Sequence, residues 1–97
     1  MTRQLVTTTE AANDLVEIWV YSYEQWGRAQ ADSYLSQLEQ TIKRLVDDPL
    51  LGTSRDQIRR GYRSIRIGRH VVFYTVSDTE LRIQRVLHAR MDVDRHL

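Results

Sequence analysis

Apolar residues recur along this chain in two rhythms, and the change between them divides it. Ala11, Leu15, Ile18, Trp19, Ser22 and Trp26 step by three and four, which marks one buried helix face. The Thr7-Thr8-Thr9 run offers an N-cap, and Glu10 and Asp14 suit the positive end of a helix. The first helix is therefore expected over Thr9 to Trp26, ended by Gly27. A second stripe of Ala31, Tyr34, Leu35, Leu38, Ile42, Leu45 and Val46 predicts a helix from Arg28, closed by Pro49. One glycine between them makes the two helices an antiparallel hairpin.

Beyond a connector from Leu50 to Arg60, the period drops to two. Tyr62 to Ile67 alternates, with Arg63, Ile65 and Ile67 on one side. A turn near Gly68-Arg69 leads to His70 to Val76, apolar on both faces and so expected at the centre of a sheet. Ser77-Asp78-Thr79 turns the chain into a third strand, Leu81 to His88. There Arg85 shares a face with Leu81, Ile83 and Leu87, so either a bulge shifts the register or Arg85 is buried against a helix carboxylate. Arg3 to Thr7 is a further strand candidate, which must join an outer edge because it has no local partner. The order β-α-α-β-β-β predicts a single α+β two-layer domain over residues 1–97, an antiparallel sheet packed on a helical hairpin.

Charge is divided along the same line. Residues 1–54 hold four basic and eight acidic side chains, whereas residues 55–97 hold ten arginines, five acids and all three histidines. Only Lys43 breaks the run of arginine, the residue suited to planar hydrogen bonding with carboxylate or phosphate. An arginine-rich sheet is the surface expected on a protein that grips something acidic. There is no cysteine, no apolar run near membrane-spanning length and no signal-peptide pattern, so a cytoplasmic protein without disulfides is expected.

His70, His88 and His96 lack the paired spacing of a zinc site, and no glycine-rich phosphate loop is present; neither metal nor cofactor is expected. A metal-free ribonuclease is the enzymatic alternative. Arg63, Arg66, Arg69, Arg82, Arg85 and Arg90 would hold the phosphate, and His88 or Tyr62 would move protons. No cluster of Glu or Lys lies among the strands to act as a tuned base. Trp19, Tyr23, Trp26 and Tyr34 fall on or beside apolar helix faces and read first as core, although half-exposed Trp and Tyr also anchor partners.

The pair Trp26-Gly27, followed by AQADSYLSQLEQ, DDPLLG, IRRGYRSIRIGRHVVFY and RIQRVLHARMD, resembles the ParE toxins of bacterial type II toxin–antitoxin systems, within the RelE/ParE superfamily. The likeness spans nearly the whole chain and is most specific over Gly61–Tyr74 and Arg85–Asp92. It implies a two-layer RelE/ParE-like fold and a plasmid-stabilising or growth-arresting toxin that inhibits DNA gyrase by binding, catalyses nothing and is neutralised by a ParD-type antitoxin. Two alternatives stand beside it: a RelE-like ribosome-dependent messenger RNA nuclease using His88, Arg66 and Arg69, and a relative that only binds antitoxin. An antitoxin helix is expected in a groove bordered by Ile18, Trp19, Tyr23 and Trp26. The target surface is expected to include Arg63, Arg66, Arg69, His88, Arg90, Met91 and Asp92, with the tail to Leu97.

Overall fold

Thr8 ties the start of the first helix to the sheet. Its hydroxyl oxygen accepts the Ala11 N–H at 3.0 Å and donates to the Gln84 carbonyl at 2.9 Å, while its own N–H reaches the Ile83 carbonyl. The computed structural model, which describes residues 3–91 and 93–97, has the elements β1 (Gln4–Thr7), α1 (Thr9–Trp26), α2 (Arg28–Asp47), β2 (Thr53–Ser54), β3 (Arg63–Ile67), β4 (His70–Val76), β5 (Glu80–His88) and α3 (Val93–His96). Gly27 turns α1 into α2 at a φ of 86°, a left-handed conformation that costs glycine little. The two expected helices appear with the expected bounds. No described helix is long and apolar enough to cross a membrane.

The sheet order is β1-β5-β4-β3-β2, which places β4 at its centre and β1 at an edge. β2 to β5 pair antiparallel, as expected, but β1 lies parallel to β5, from Gln4 opposite Glu80 to Thr7 opposite Ile83. The sheet is therefore mixed. The direction of β1 follows from its exit through Thr8, which must reach Gln84 further along β5 to cap α1. β2 was not legible in the sequence; its two residues pair with Ser64 and Arg63.

The helical hairpin covers one face. Ala11, Ile18, Leu38, Ile42 and Leu45 meet Ile67, Val72, Tyr74, Leu81, Ile83 and Val86, all buried. Each buried Val, Leu or Ile among them contributes roughly 1.5–3 kcal/mol by leaving water. Both readings of Arg85 are realised together. Tyr74 faces Ile83 and Phe73 faces Arg85, so Gln84 is an extra residue and β5 bulges there. Past the bulge Val86, instead of Leu87, takes the core position. Arg85 meanwhile grips Asp14 of α1 with Nε at 2.8 Å and Nη2 at 2.9 Å.

The connector is an ordered loop. Tyr74 donates its hydroxyl proton to the Pro49 carbonyl at 2.7 Å and accepts the Gly52 N–H at 3.0 Å. Asp56 accepts from the Gly61 N–H at 2.8 Å and from the Ser54 hydroxyl at 3.2 Å, and those bonds, Gly61 first, hold its carboxyl below the usual range.

Candidate target-binding cleft

Three structural turns converge at one end of the molecule: the α1–α2 turn, the Gly68-Arg69 turn of the β3–β4 hairpin, and the end of β5. Between them lies a cleft of about 370 Å³ lined by Tyr21, Ser22, Trp26, Gln30, Tyr34, Gly68, Arg69, His70 and His88. Among the described residues no carboxylate lines it.

Tyr34 organises its floor. Its hydroxyl stands 2.6 Å from His70 Nδ1, 3.2 Å from the Ile67 carbonyl, and accepts the Arg69 N–H at 3.0 Å. The ring lies so close to Gly68 that an added Cβ would sit 2.9 Å from it, and Gly68 itself has a φ of 57°. Glycine is thus required twice over, for the turn and for the approach of Tyr34. Burial, then the neighbouring His88 and Arg69, push the His70 pKa down to about 4, so His70 is neutral at pH 7. The short Tyr34–His70 distance fits a Tyr proton donated to Nδ1, with the ring proton on Nε2. His88 meets the His70 ring edge-on at 5.4 Å, and its Nδ1 accepts the Arg90 N–H at 3.1 Å.

The rim is aromatic and cationic. The Arg69 guanidinium sits 5.1 Å from the Trp26 ring centre, and Tyr21 meets Trp26 edge-on at 6.0 Å. Trp26 is half-exposed, a correction to its reading as core. The reason is position: it is the last residue of α1, past the point where the sheet covers that helix face.

Strand alternation sorts the remaining arginines. Ile67, His70 and His88 lie in register on the helix side, while the next row, Arg66, Val71 and Leu87, faces the other way. Arg66 and His88 are therefore on opposite faces, although Arg66 curls to the turn and donates from Nε to the Gly68 carbonyl at 3.1 Å. Arg63 lies at the far end of β3, where its Nη2 donates to the Gly52 carbonyl at 2.7 Å. It braces the connector and does not join the cleft. Arg69, His88, Arg90 and Met91 do come together, through Ala89 N–H to the Arg69 carbonyl at 2.9 Å and Met91 N–H to the His88 carbonyl at 2.9 Å. Asp92 lies outside the described residues.

The four groove residues divide. Ile18 is buried in the core. Trp19 stacks on Tyr23 at 5.3 Å and donates its indole N–H to Asp32 at 2.8 Å. It borders a shallow groove lined by Leu15, Val16, Leu35 and Glu39, all from the two helices. Trp26 belongs to the cleft. One helical step of about 100° separates Ile18 from Trp19, whereas Trp26, seven residues on, returns close to the azimuth of Trp19 and is set apart by its place along the axis.

The family description "ParE toxin of type II toxin-antitoxin system, parDE" matches residues 5–93. The chain belongs to the ParE toxin family. It is 41% identical over 98 aligned positions to Toxin ParE1 of Mycobacterium tuberculosis, covering all of both chains. It is also 41% identical over 87 positions to Toxin ParE1 of Caulobacter vibrioides, covering 90% of each. Its fold is similar to a chain of the chromosomal ParDE system from P. aeruginosa, with a TM-score of 0.77 and 22% identity over 89% of this chain and 95% of that one. A chain of the RelBE2 toxin–antitoxin complex from Mycobacterium tuberculosis gives 0.66 and 24%, over 91% and 99%. The RelE/ParE fold and the toxin–antitoxin class follow.

Tyr21, Gly68 and His70 carry no mark of the cleft in the sequence, whereas Tyr34, placed first with the core, lies in the groove between hairpin and sheet that its aromatic class also allowed. The Gly68-Arg69 turn was the available signal, since a glycine at a hairpin tip admits a close neighbour.

Proposed function

We propose that this ParE-family toxin acts by binding DNA gyrase and is neutralised by a ParD-type antitoxin encoded with it. The observation that carries the reading is the match to the ParE toxin family over residues 5–93. The toxic surface is the cleft end, with Arg69, His88, Arg90 and Met91, continued by the tail. Its chemistry is that of occupancy: cations and exposed rings on a preorganised turn, rigid before the partner arrives. The separation of Arg66 from His88 across the sheet supports binding over RNA cleavage, because a phosphate held by one is out of line with a proton carried by the other.

The antitoxin occupies the opposite territory in this reading. An amphipathic helix lies along the Leu15–Val16–Trp19–Leu35 groove, where Val16 and Tyr23 leave apolar surface exposed. Its acidic residues are attracted to the arginine-rich sheet.

A plasmid supercoiling and cleavage assay with purified gyrase tests the reading. Loss of supercoiling with accumulating linear DNA, reversed by the antitoxin, is the expected result. An unaffected gyrase would overturn it and direct attention to ribosome-dependent RNA cleavage or to a relative that only binds antitoxin.

A further inference from the structure

We infer that the cleft end also holds an unpaired stretch of nucleic acid, one base lying against Trp26 and Tyr21 and the flanking phosphates against Arg69, Arg66 and Arg90. Three independent features of the surface converge on this ligand. The first is charge without compensation. Among the described residues the ion pairs include Arg28 with Asp32, Arg82 with Glu80 and Arg85 with Asp14. Arg66, Arg69 and Arg90 are exposed, and none of them pairs with a carboxylate there. All three gather at the Gly68-Arg69 turn: Arg66 through the Gly68 carbonyl, Arg90 through its neighbour Ala89 on the Arg69 carbonyl.

The second feature is the pair of rings. Tyr21 is 58% and Trp26 50% exposed, an unfavourable display for a surface that meets only water. Set edge to face beside a guanidinium, they form a platform for a planar, electron-rich group. The third is shape. The cleft is a concavity of about 370 Å³, the size of one base with its sugar, whereas reading a duplex calls for an element that projects into a groove. Ser22, Gln30 and neutral His70 supply hydrogen-bonding groups along its walls, with no carboxylate among the described lining residues to repel phosphate.

An acidic peptide fits this place less well. A peptide gains much of its affinity by adding a strand to a sheet edge, and the edges here are β1 and β2. The cleft lies over the ends of β3, β4 and β5, so it offers side chains and no open ladder. Stacking and scattered cations give tolerance of sequence, and no base-specific readout is expected.

The test needs neither gyrase nor antitoxin, so its outcome is separate from that of the supercoiling assay. The purified chain is titrated into fluorescein-labelled twelve-nucleotide dT and rU oligonucleotides, with anisotropy read across a range of salt. Binding should weaken linearly on a log–log plot with a slope near −2, about −0.7 for each of three arginines. A Trp19→Phe variant leaves Trp26 as the only tryptophan, and its emission should be quenched on binding. Trp26→Ala should weaken binding about tenfold, and Trp26→Tyr should restore most of it. Arg69→Ala should weaken binding and make the slope shallower by about 0.7. Trp26 and Arg69 are exposed and Trp19 is half-buried, and circular dichroism checks that each variant keeps the fold. Preference for dT or for rU supports the proposal and identifies which nucleic acid is held. Absence of salt-dependent binding, unchanged affinity in Trp26→Ala, or equal competition by duplex DNA or polyglutamate would overturn it.

Discussion

Asp14 on α1 closes both carboxylate oxygens on the guanidinium of Arg85, 71 residues later in the chain, at 2.8 and 2.9 Å. The same carboxylate accepts the Val86 N–H at 2.9 Å, and the remaining Arg85 nitrogen, Nη1, donates to the His96 carbonyl at 2.6 Å. One pair thus joins α1, the bulged strand and the terminal helix. Asp14→Ala leaves a largely buried cation and an unpaired N–H, so it should cost on the order of 3 kcal/mol in urea unfolding. A double-mutant cycle with Arg85→Ala should show strong coupling; additive losses would mean that the two side chains act separately.

The tail hangs on that arginine. Truncation after Arg90 removes the His96 carbonyl and leaves Asp14 and Arg85 paired. The fold should persist with a loss of about 1 kcal/mol or less, while gyrase inhibition falls by at least tenfold. A truncated chain that still inhibits fully would remove the tail from the toxic surface.

Tyr34 and Gly68 set the turn that carries Arg69. Tyr34→Phe keeps the ring and deletes three polar contacts, so it should destabilise by about 1–2 kcal/mol and weaken target inhibition more than antitoxin binding. Gly68→Ala should cost more than a surface substitution, since it meets both a strained φ and the Tyr34 ring. Thermal melts beside antitoxin titrations separate the two effects.

His70 links stability to acidity. The unfolded chain takes up this proton near pH 6.5, but the folded chain holds it off until about pH 4. Between those values the unfolded state binds more protons, so stability falls as the pH drops through the window. With partial solvent exposure the loss is on the order of 1–2 kcal/mol. His70→Gln should flatten this slope in urea midpoints measured from pH 7 to pH 4.5.

On the helical hairpin, core and contact surface separate cleanly. Ile18→Ala should cost about 2–4 kcal/mol through cavity formation. Tyr23→Ala, at a 48% exposed site, should stay within about 0.5 kcal/mol yet weaken antitoxin binding about tenfold. Calorimetric titration that finds the Tyr23→Ala affinity unchanged would move the antitoxin off this face.

The helices were legible in the sequence because their stripes, caps and terminal glycine agree with one another. The strands were legible from alternation and turn residues. The parallel run of β1 was not, since pairing across 76 positions leaves no local mark. Arg85 offered two explanations, and both hold because the bulge that frees a core position for Val86 also turns the arginine toward Asp14. The cleft was half legible. Arginine enrichment pointed to it, but periodicity assigned Trp26 and Tyr34 to the core, since spacing alone does not say where a helix outruns the sheet beneath it.

The edge position of β1 has a consequence for how the protein comes into being. Its partners, Glu80 to Ile83, leave the ribosome 76 residues after it, whereas the helical hairpin needs only its own neighbours. The hairpin can assemble early, but β1 must wait until β5 has been synthesised before the sheet closes. Until then the apolar underside of the hairpin stands uncovered and the arginine turn has no platform. The outer helical groove, made by the hairpin alone, is finished first, so a partner that recognises that groove meets this protein before any surface of the completed sheet exists.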